Sequence, residues 1–595
     1  MIRFYATIVL TLLLLTNVYA QTKSPAAFLG YELGEQFSQH HQVLNYFNHV
    51  AENNSNVKLL TYGETYEKRP LTLAFISAEE NMKKLDDLRL DQLRSAGMIE
   101  GDPSQNEIAI VWLSYNVHGN EAVSTEVSMQ TLFELVDPEN KKSKEWLKNT
   151  VVILDPCINP DGRERYVNWF KQKSNQPYNK NPDAIEHHEP WPRGRANHYL
   201  FDLNRDWAWG TQIETQQRLA VYNKWMPHIH VDFHEMGVNS PYYFAPAAKP
   251  YHEIITKFQR DFQKTVGKNH AKYFDEKGWL YFTKEQYDLF YPSYGDTYPT
   301  YNGAIGMTYE QGGSGSAGLG VKTKEGSELT LKDRISHHLT TGLSTIEVAS
   351  ANASELQKEF LTYFKNALEK PMGSTKSYLI KNSSDDKVES LIKLLDLHHI
   401  KYGSPSSASN VKGFSYQTNK EVKVSIDKED LLISVYQPKS NLVKALFEPQ
   451  SKLNDSLTYD ITAWSLPYAR GLDAYALQVK IDSDTYKKVI EKEDTLQIKK
   501  PYAYLTKWNS TQDVAYLSHL LKNKVKVRFS TQDFSIEGKQ YSAGSLIITR
   551  AGNEKLKGFD SIVKAVAKKN NRHVVPVKTG LVSSGSDFGS SKVSY

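Results

Sequence analysis

Over residues 42–351, short apolar runs alternate with segments of helical spacing. The runs at 108–114, 229–233 and 305–309 are continuous, as in strands that are buried on both faces, whereas residues 122–136 are amphipathic with a helical period. Strands that alternate with helices favour a sheet covered by helices on both sides. The pattern therefore predicts an α/β domain in this part of the chain.

The predicted secondary-structure pattern changes after about residue 370. A long helical stretch at 329–368 is followed by residues 371–374, whose Pro, Gly and Ser are typical of a linker. Beyond it lie many short segments of β character with few helices. We expect 375–595 to form an accessory α+β region of one or two bodies that ends in a Gly/Ser-rich linker at 579–591. We interpret this region as a packing or substrate-access element.

The first 20 residues have the pattern of a secretory signal peptide. Arg3 supplies a positive charge, residues 8–15 form an apolar run too short to span a bilayer, and a cleavage point follows Ala20. Cys157 is the single cysteine, so an internal disulfide is excluded, which fits a bacterial periplasmic or secreted protein. We expect an exported chain, periplasmic or extracellular, without stable membrane insertion after cleavage; a membrane anchor is the alternative.

Composition limits the class of partner. The chain has 595 residues, of which 40% are hydrophobic and 24% charged, so it is not a disordered protein. Lys and Arg number 72 and Asp and Glu 68, which leaves a net charge of +4. Because no basic stripe with interleaved aromatic residues accompanies this small charge, we expect no nucleic-acid partner.

Three side chains at predicted strand ends have the chemistry of metal ligands. His118 and Glu121 follow the apolar run at 108–114, and His234 ends the run at 229–233. Imidazole nitrogen and carboxylate oxygen are good zinc ligands, and an open α/β sheet binds its ligands at the carboxyl ends of its strands. Taken alone, the first pair also fits a solvated loop, and the second His also fits a core or loop residue.

Two further segments carry polar side chains of a catalytic type. Asn204 and Arg205 are adjacent, and a planar guanidinium can bind both oxygens of a free carboxylate. Glu310 ends the apolar run at 305–309 and has the chemistry of a general base for metal-activated water. Taken singly, a surface salt bridge for Arg205 and an exposed strand-end carboxylate for Glu310 are the better interpretations.

Together the segments resemble the M14 family of zinc metallocarboxypeptidases, the carboxypeptidase A group. The resemblance covers about residues 40–370, in the larger bacterial secreted type with a C-terminal accessory region. It implies a catalytic domain over 21–370 with a mixed, mostly parallel central sheet flanked by helices. It rests on five elements in the family's chain order: His118-x-x-Glu121, Asn159-Pro-Asp-Gly162, Asp202-x-Asn204-Arg205, His234 and Glu310.

The resemblance implies a role for each matched residue. His118, Glu121 and His234 would hold one Zn²⁺ per chain, and Asp202 would accept a hydrogen bond from the first His ligand. Glu310 would be the general base, and Asn204 with Arg205 would bind the terminal carboxylate of the substrate. Asp206 follows Arg205 where many relatives carry a second Asn.

The resemblance also implies two residues that the spacing does not assign uniquely. An arginine that polarises the scissile carbonyl is expected before Asn204, and we favour Arg195 over Arg193. A mobile tyrosine is expected upstream of Glu310, and we favour Tyr301 over Tyr298.

These assignments imply a zinc-dependent exopeptidase that hydrolyses the C-terminal peptide bond of peptides or proteins. A zinc amidase or peptidase acting on cell-wall peptides or N-acyl amino acids is the first alternative, because those substrates also present a carboxylate. A non-catalytic peptide-binding protein on the same scaffold is the second alternative. The sequence does not indicate the preferred terminal residue or the oligomeric state.

Overall fold

The computed structural model describes residues 22–382, 385–453, 455, 458–459, 463–486 and 498–595. The predicted signal peptide over 1–20 lies outside these residues. Within them, no helix is long and apolar enough to cross a membrane. The described residues form two compact units. The first comprises the chain up to Lys376 with Leu394–Lys401 and Ser434–Ser465, and the second comprises Ser377–Lys393, Tyr402–Ile433 and Leu466–Tyr595.

An eight-stranded sheet forms the centre of the first unit, in the order β1-β2-β4-β3-β5-β8-β6-β7. Its middle is parallel, because β3 runs parallel to β4 and β5, and β5 runs parallel to β8. Antiparallel pairs lie towards both edges. This arrangement confirms the predicted mixed sheet. The strands are β1 Val57–Glu64, β2 Pro70–Ile76, β3 Ala109–Tyr115, β4 Thr150–Asp155, β5 Ile229–Gly237, β6 Tyr242–Tyr243, β7 Tyr281–Phe282 and β8 Ile305–Gly313.

Helices account for much of the rest of this unit, which also contains the hairpin of β9 Gly320–Lys322 and β10 Glu328–Thr330. Three short 3₁₀ turns lie between them, at Ile185–His187, Leu203–Arg205 and Ser314–Ser316. The α-helices are α1 Pro25–Leu29, α2 His40–Asn53, α3 Glu79–Lys83, α4 Leu85–Ser95, α5 Val123–Val136, α6 Lys141–Lys148, α7 Pro160–Lys173, α8 Ile213–Trp225, α9 Lys257–Lys277, α10 Thr297–Tyr301, α11 Leu331–Ala351 and α12 Ala353–Glu369.

Both faces of the sheet are covered, because side chains alternate between the faces along each strand. On β3, Val111 and Leu113 are buried in one cluster with Val127 of α5. Trp112, between them, points to the other face, where its ring lies 5.6 Å from that of Tyr222 on α8. The continuous apolar run of this strand therefore reflects burial on two sides, as the sequence predicted.

The second unit contains the short strands expected from its sequence. One five-stranded sheet has the order β14-β13-β16-β11-β15 and another the order β23-β18-β22-β19-β24. The strands are β11 Ser377–Ile380, β12 Ser404–Pro405, β13 Ser409–Ser415, β14 Lys420–Ile426, β15 Leu431–Ser434, β16 Ala474–Leu477, β17 Ser483–Asp484, β18 Ala503–Thr506, β19 Arg528–Ser530, β20 Phe534–Ile536, β21 Lys539–Tyr541, β22 Leu546–Thr549, β23 Val575–Val577 and β24 Val593–Ser594. The remaining helices of the described residues are α13 Asp385–Leu397, α14 Ser440–Phe447, α15 Leu466–Ala469, α16 Thr511–Lys522 and α17 Phe559–Lys569; of these, α14 and the end of α13 lie in the first unit.

Candidate metal centre

Two neighbouring parallel strands carry the predicted ligands to one edge of the sheet. The loop after β3 holds His118 and Glu121, and β5 holds His234 near its carboxyl end. Asn116 begins this loop in a left-handed conformation (φ 62°), and its side-chain amide donates to the backbone oxygens of His118, at 2.8 Å, and Glu121, at 2.9 Å. The amide therefore closes the loop so that both predicted ligands are held at the strand end.

The three ligand atoms converge. His118 Nδ1 lies 2.8 Å from Glu121 Oε1, His234 Nδ1 lies 3.0 Å from Glu121 Oε2, and the two Nδ1 atoms are 3.2 Å apart. All three side chains are buried. Among the described residues, no other group of three His, Cys, Asp or Glu side chains converges in this way. Two imidazoles and one carboxylate are a donor set that fits a catalytic Zn²⁺ site with an open position.

Each imidazole presents its outer nitrogen to a carboxylate. His118 Nε2 lies 3.0 Å from Asp202 Oδ1, and His234 Nε2 lies 2.8 Å from Asp232 Oδ2. A proton on each Nε2 leaves the lone pair of Nδ1 directed at the converging point, which is the tautomer a metal ligand needs. The sequence analysis missed Asp232. Its signal was its position two residues before His234 on one strand, which puts both side chains on the same face.

Glu310 lies on β8 directly beside His234 in the strand register, and both residues line one cleft. Its side chain is buried, and burial raises the pKa of Glu310 to about 8; the nearby Glu121 acts in the same direction, and His234 opposes it. A carboxylate with a raised pKa is a stronger base than an exposed one. The position and chemistry of Glu310 are therefore those of a proton acceptor beside the metal centre.

Arg195 lines the cleft beside the ligands, whereas Arg193 does not. Arg195 Nη1 is 3.2 Å from His118 Nδ1 and 3.4 Å from Glu121 Oε1, and Arg195 Nη2 donates to Asp202 Oδ2 at 2.9 Å. Burial raises the pKa of Asp202, but His118 and Arg195 outweigh it and hold this pKa well below its usual range. Arg195 thus places its guanidinium beside the converging ligands.

Asn204 and Arg205 lie on the 3₁₀ turn Leu203–Arg205 and line the same cleft. Asn204 Oδ1 accepts a hydrogen bond from the backbone N–H of Gly295 at 2.8 Å. The Arg205 guanidinium lies over the ring of Tyr294, 4.5 Å from its centroid, and is about one-third exposed. A guanidinium held by an aromatic face at the edge of a cleft has the chemistry to receive a carboxylate.

The structure does not place Tyr301 or Tyr298 in the cleft. Both side chains are buried on α10; the Tyr301 hydroxyl donates to the backbone oxygen of Phe290, and the Tyr298 hydroxyl is 2.8 Å from His398 Nδ1. The tyrosines that line the cleft are Tyr287, Tyr294 and Tyr459. Tyr287 and Tyr294 precede α10 in an irregular segment, where no periodicity distinguishes one tyrosine from the next. Tyr459 comes from a segment in which the sequence carried no sign of a site.

Comparisons with known proteins found a matching family model and similar solved structures. Residues 43–297 match the family model described as zinc carboxypeptidase, peptidase M14. No curated protein sequence matches the chain. Similar solved structures include a metallo-carboxypeptidase from Burkholderia cenocepacia (12% identity, TM-score 0.38, covering 53% of this chain and 70% of the other). Another is the carboxypeptidase A of Helicoverpa armigera (16% identity, TM-score 0.35, covering 59% and 80%).

The family model reaches from α2 to α10 and includes the predicted ligands His118, Glu121 and His234. Glu310 lies beyond the matched range but in the same cleft. Residues 43–297 of the chain are therefore similar to the zinc carboxypeptidases of the peptidase M14 family.

Proposed function

We propose that the chain is a zinc-dependent exopeptidase that removes the C-terminal residue of peptides, with Glu310 as general base. The observation that carries the proposal is the convergence of His118, Glu121 and His234 in one cleft with Glu310. A Zn²⁺ ion held there supplies a Lewis acid that polarises a carbonyl and makes water acidic. We also propose, from the first 20 residues, that the chain is exported.

Different side chains around this centre bind the substrate, polarise its carbonyl and transfer the proton. Arg205, with Asn204, binds the terminal carboxylate and so selects the last peptide bond. Arg195 donates to the carbonyl oxygen as negative charge develops on it, which is the interaction that lowers the barrier most in acyl transfer. Glu310 accepts the proton of the attacking water and then donates it to the leaving amine.

A comparison of free and amidated peptides tests this function. The purified chain is assayed on peptides identical except for a C-terminal carboxylate or amide, as purified, after chelation, and after zinc is added back. We expect release of the terminal amino acid from the free peptide only, its loss on chelation and its recovery with zinc. Cleavage of the amidated peptide would contradict a role for the carboxylate.

Activity that survives complete metal removal would contradict the metal role. Inertness towards ordinary peptides, with cleavage of cell-wall peptides or N-acyl amino acids, would favour the amidase. Binding of every peptide without turnover would favour a non-catalytic binding protein.

A further inference from the structure

A loop beside the metal centre exposes three consecutive apolar side chains. Tyr199, Leu200 and Phe201 are 59%, 46% and 50% exposed, respectively. Among the residues that the structure describes, this is the only place where three successive large hydrophobic side chains are exposed. Scattered exposed apolar residues are normal in soluble proteins, but a group of them marks an interaction surface. We call Tyr199, Leu200 and Phe201 the apolar rim.

The loop that carries the apolar rim is held in one shape by Asn197. The buried Asn197 side chain accepts hydrogen bonds from the backbone N–H groups of Tyr199 and Phe201, at 3.1 and 3.0 Å. Its amide nitrogen donates to Gln212 Oε1 at 3.0 Å. The backbone also closes on itself, because Asn197 N–H donates to the Phe201 oxygen at 3.0 Å. These hydrogen bonds fix the loop in a conformation in which the rim is exposed.

Leu200 adopts a backbone conformation that its side chain disfavours. Its φ of 66° lies in the left-handed region, which is uncommon for residues other than Gly, Asn and Asp. Strain of this kind costs on the order of 1 kcal/mol and persists where surrounding contacts impose it, often at functional sites. Here the Asn197 contacts impose it, and the three apolar side chains stay largely exposed, although the ring of Tyr199 also lies 4.6 Å from that of Tyr66.

The ends of the loop lie at the metal centre. Arg195 and Asp202 flank the loop and are joined by an ion pair, Nη2 to Oδ2 at 2.9 Å, and Asp202 also contacts His118. Six residues separate the two, so the tip can lie at most about 10 Å from this pair, at roughly 3.5 Å per residue for half the loop. An extended peptide rises about 3.3 Å per residue, so about three residues span that distance.

We propose that the apolar rim binds apolar side chains of the peptide substrate, about two to four residues before the scissile bond. This inference rests on the proposed function, because the peptide that binds the rim is the same peptide that is cleaved in the cleft. The continuity of the loop with Arg195 and Asp202 is what selects the substrate itself as the partner. Substrates with hydrophobic residues upstream of the terminal bond are then preferred.

The test uses the full chain and two hexapeptides with the same last two residues. One has leucine and the other serine at the three preceding positions. We expect kcat/KM of the wild-type protein to be about 10-fold higher for the leucine peptide, the effect of burying one or two apolar groups. In the double variant Tyr199→Ser/Phe201→Ser the ratio falls to about 1. A misfolded variant would lose activity on both peptides, whereas the loss of the rim changes only the ratio between them.

Leu361→Ser is the matched control, because Leu361 is a similarly exposed leucine (44%) on α12; its ratio should equal that of the wild type. A ratio that is unchanged in the double variant overturns the inference. If the wild-type protein cleaves neither peptide, the proposed function has failed, and calorimetric binding of the leucine peptide decides the inference separately. A Kd about 10-fold weaker in the double variant supports the rim, and equal values overturn it.

Discussion

At the scale of single residues, two carboxylates, Asp202 and Asp232, orient the imidazoles of the metal centre. Asp232 is the cleaner of the two to test, since Asp202 also pairs with Arg195. We expect Asp232→Asn to weaken zinc affinity by about 10- to 100-fold, because His234 loses the partner that fixes its tautomer. Competition with a fluorescent chelator measures this, with the exposed Asp275→Asn as control. Unchanged affinity would mean that Asp232 does not support the ligand.

Glu310 separates chemistry from metal binding. Glu310→Gln keeps the shape of the side chain but removes the proton acceptor, so we expect one bound zinc per chain as in the wild type. We expect kcat to fall by about 10²- to 10⁴-fold, the usual contribution of general acid–base catalysis. Metal analysis and steady-state kinetics check this, with the exposed Glu325→Gln as control. Appreciable residual turnover would contradict the assigned role.

The converging ligands were predicted only through the family resemblance, because each segment taken alone also fitted a loop, core or surface residue. The role of Glu310 was predicted in the same way and stays a prediction. The cleft tyrosines were not predictable in this way. Tyr301 lies upstream of Glu310 in the sequence, as the resemblance requires. However, it lies on α10, and its buried hydroxyl donates to the backbone oxygen of Phe290. Tyr287 lies outside any regular element, so its direction depends on tertiary contacts that periodicity does not encode.

At the scale of elements, a buried ion pair joins β5 to α11. Glu235 follows the ligand His234, its Oε1 accepts from Arg334 Nη1 at 2.7 Å, and its backbone N–H donates to Glu121 Oε2 at 2.9 Å. Arg334 also donates to the backbone oxygen of Gly318. The pair thus connects the ligand strand with the loop after β8, although nothing in the spacing of these residues indicated it.

Breaking this pair should be costly. We expect Arg334→Met to lower the free energy of unfolding by about 3–5 kcal/mol, because it leaves the Glu235 carboxylate buried without its cation. The double variant Glu235→Leu/Arg334→Met should regain part of the loss, since no unpaired charge remains. Urea unfolding of the three proteins measures this. A single variant as stable as the wild type would show that the pair does not hold these elements together.

At the scale of the whole molecule, the first unit contains many histidines that burial keeps neutral. Burial lowers the pKa of seven of them from 6.5 to about 3 or 4: His40, His228, His230, His270, His337, His338 and His398. Between these values and 6.5 the unfolded chain binds more protons than the folded one. Each such histidine therefore contributes stability above pH 6.5 that is lost as the pH falls towards its folded pKa.

His270→Asn isolates one of these contributions. His270 Nδ1 lies 2.8 Å from Ser344 Oγ, a hydrogen bond that an amide can replace. Below pH 6.5, the free energy of unfolding of the wild type should fall relative to the variant by up to about 1.4 kcal/mol per pH unit, until the pH nears 3. Urea unfolding at pH 7, 6, 5 and 4 measures the difference. A difference independent of pH would contradict a buried neutral imidazole.

The alternation of helices with the buried central strands was predictable from periodicity, whereas the two-residue strands β6 and β7 are too short to show a period. Which segments make up the first unit was not predictable. Ser434–Ser465 belongs to this unit, although it lies far beyond residue 370, where the secondary-structure pattern of the sequence changes. Contacts between segments two hundred positions apart leave no local pattern. Tyr459 lines the cleft because of such long-range contacts, and the local sequence does not indicate it.

The most direct test of the central claim is a crystal structure of the zinc-loaded protein with data collected at the zinc absorption edge. We expect one anomalous peak per chain, within bonding distance of His118 Nδ1, His234 Nδ1 and a carboxylate oxygen of Glu121. A peak at other residues, or none in protein shown to contain zinc, would contradict it.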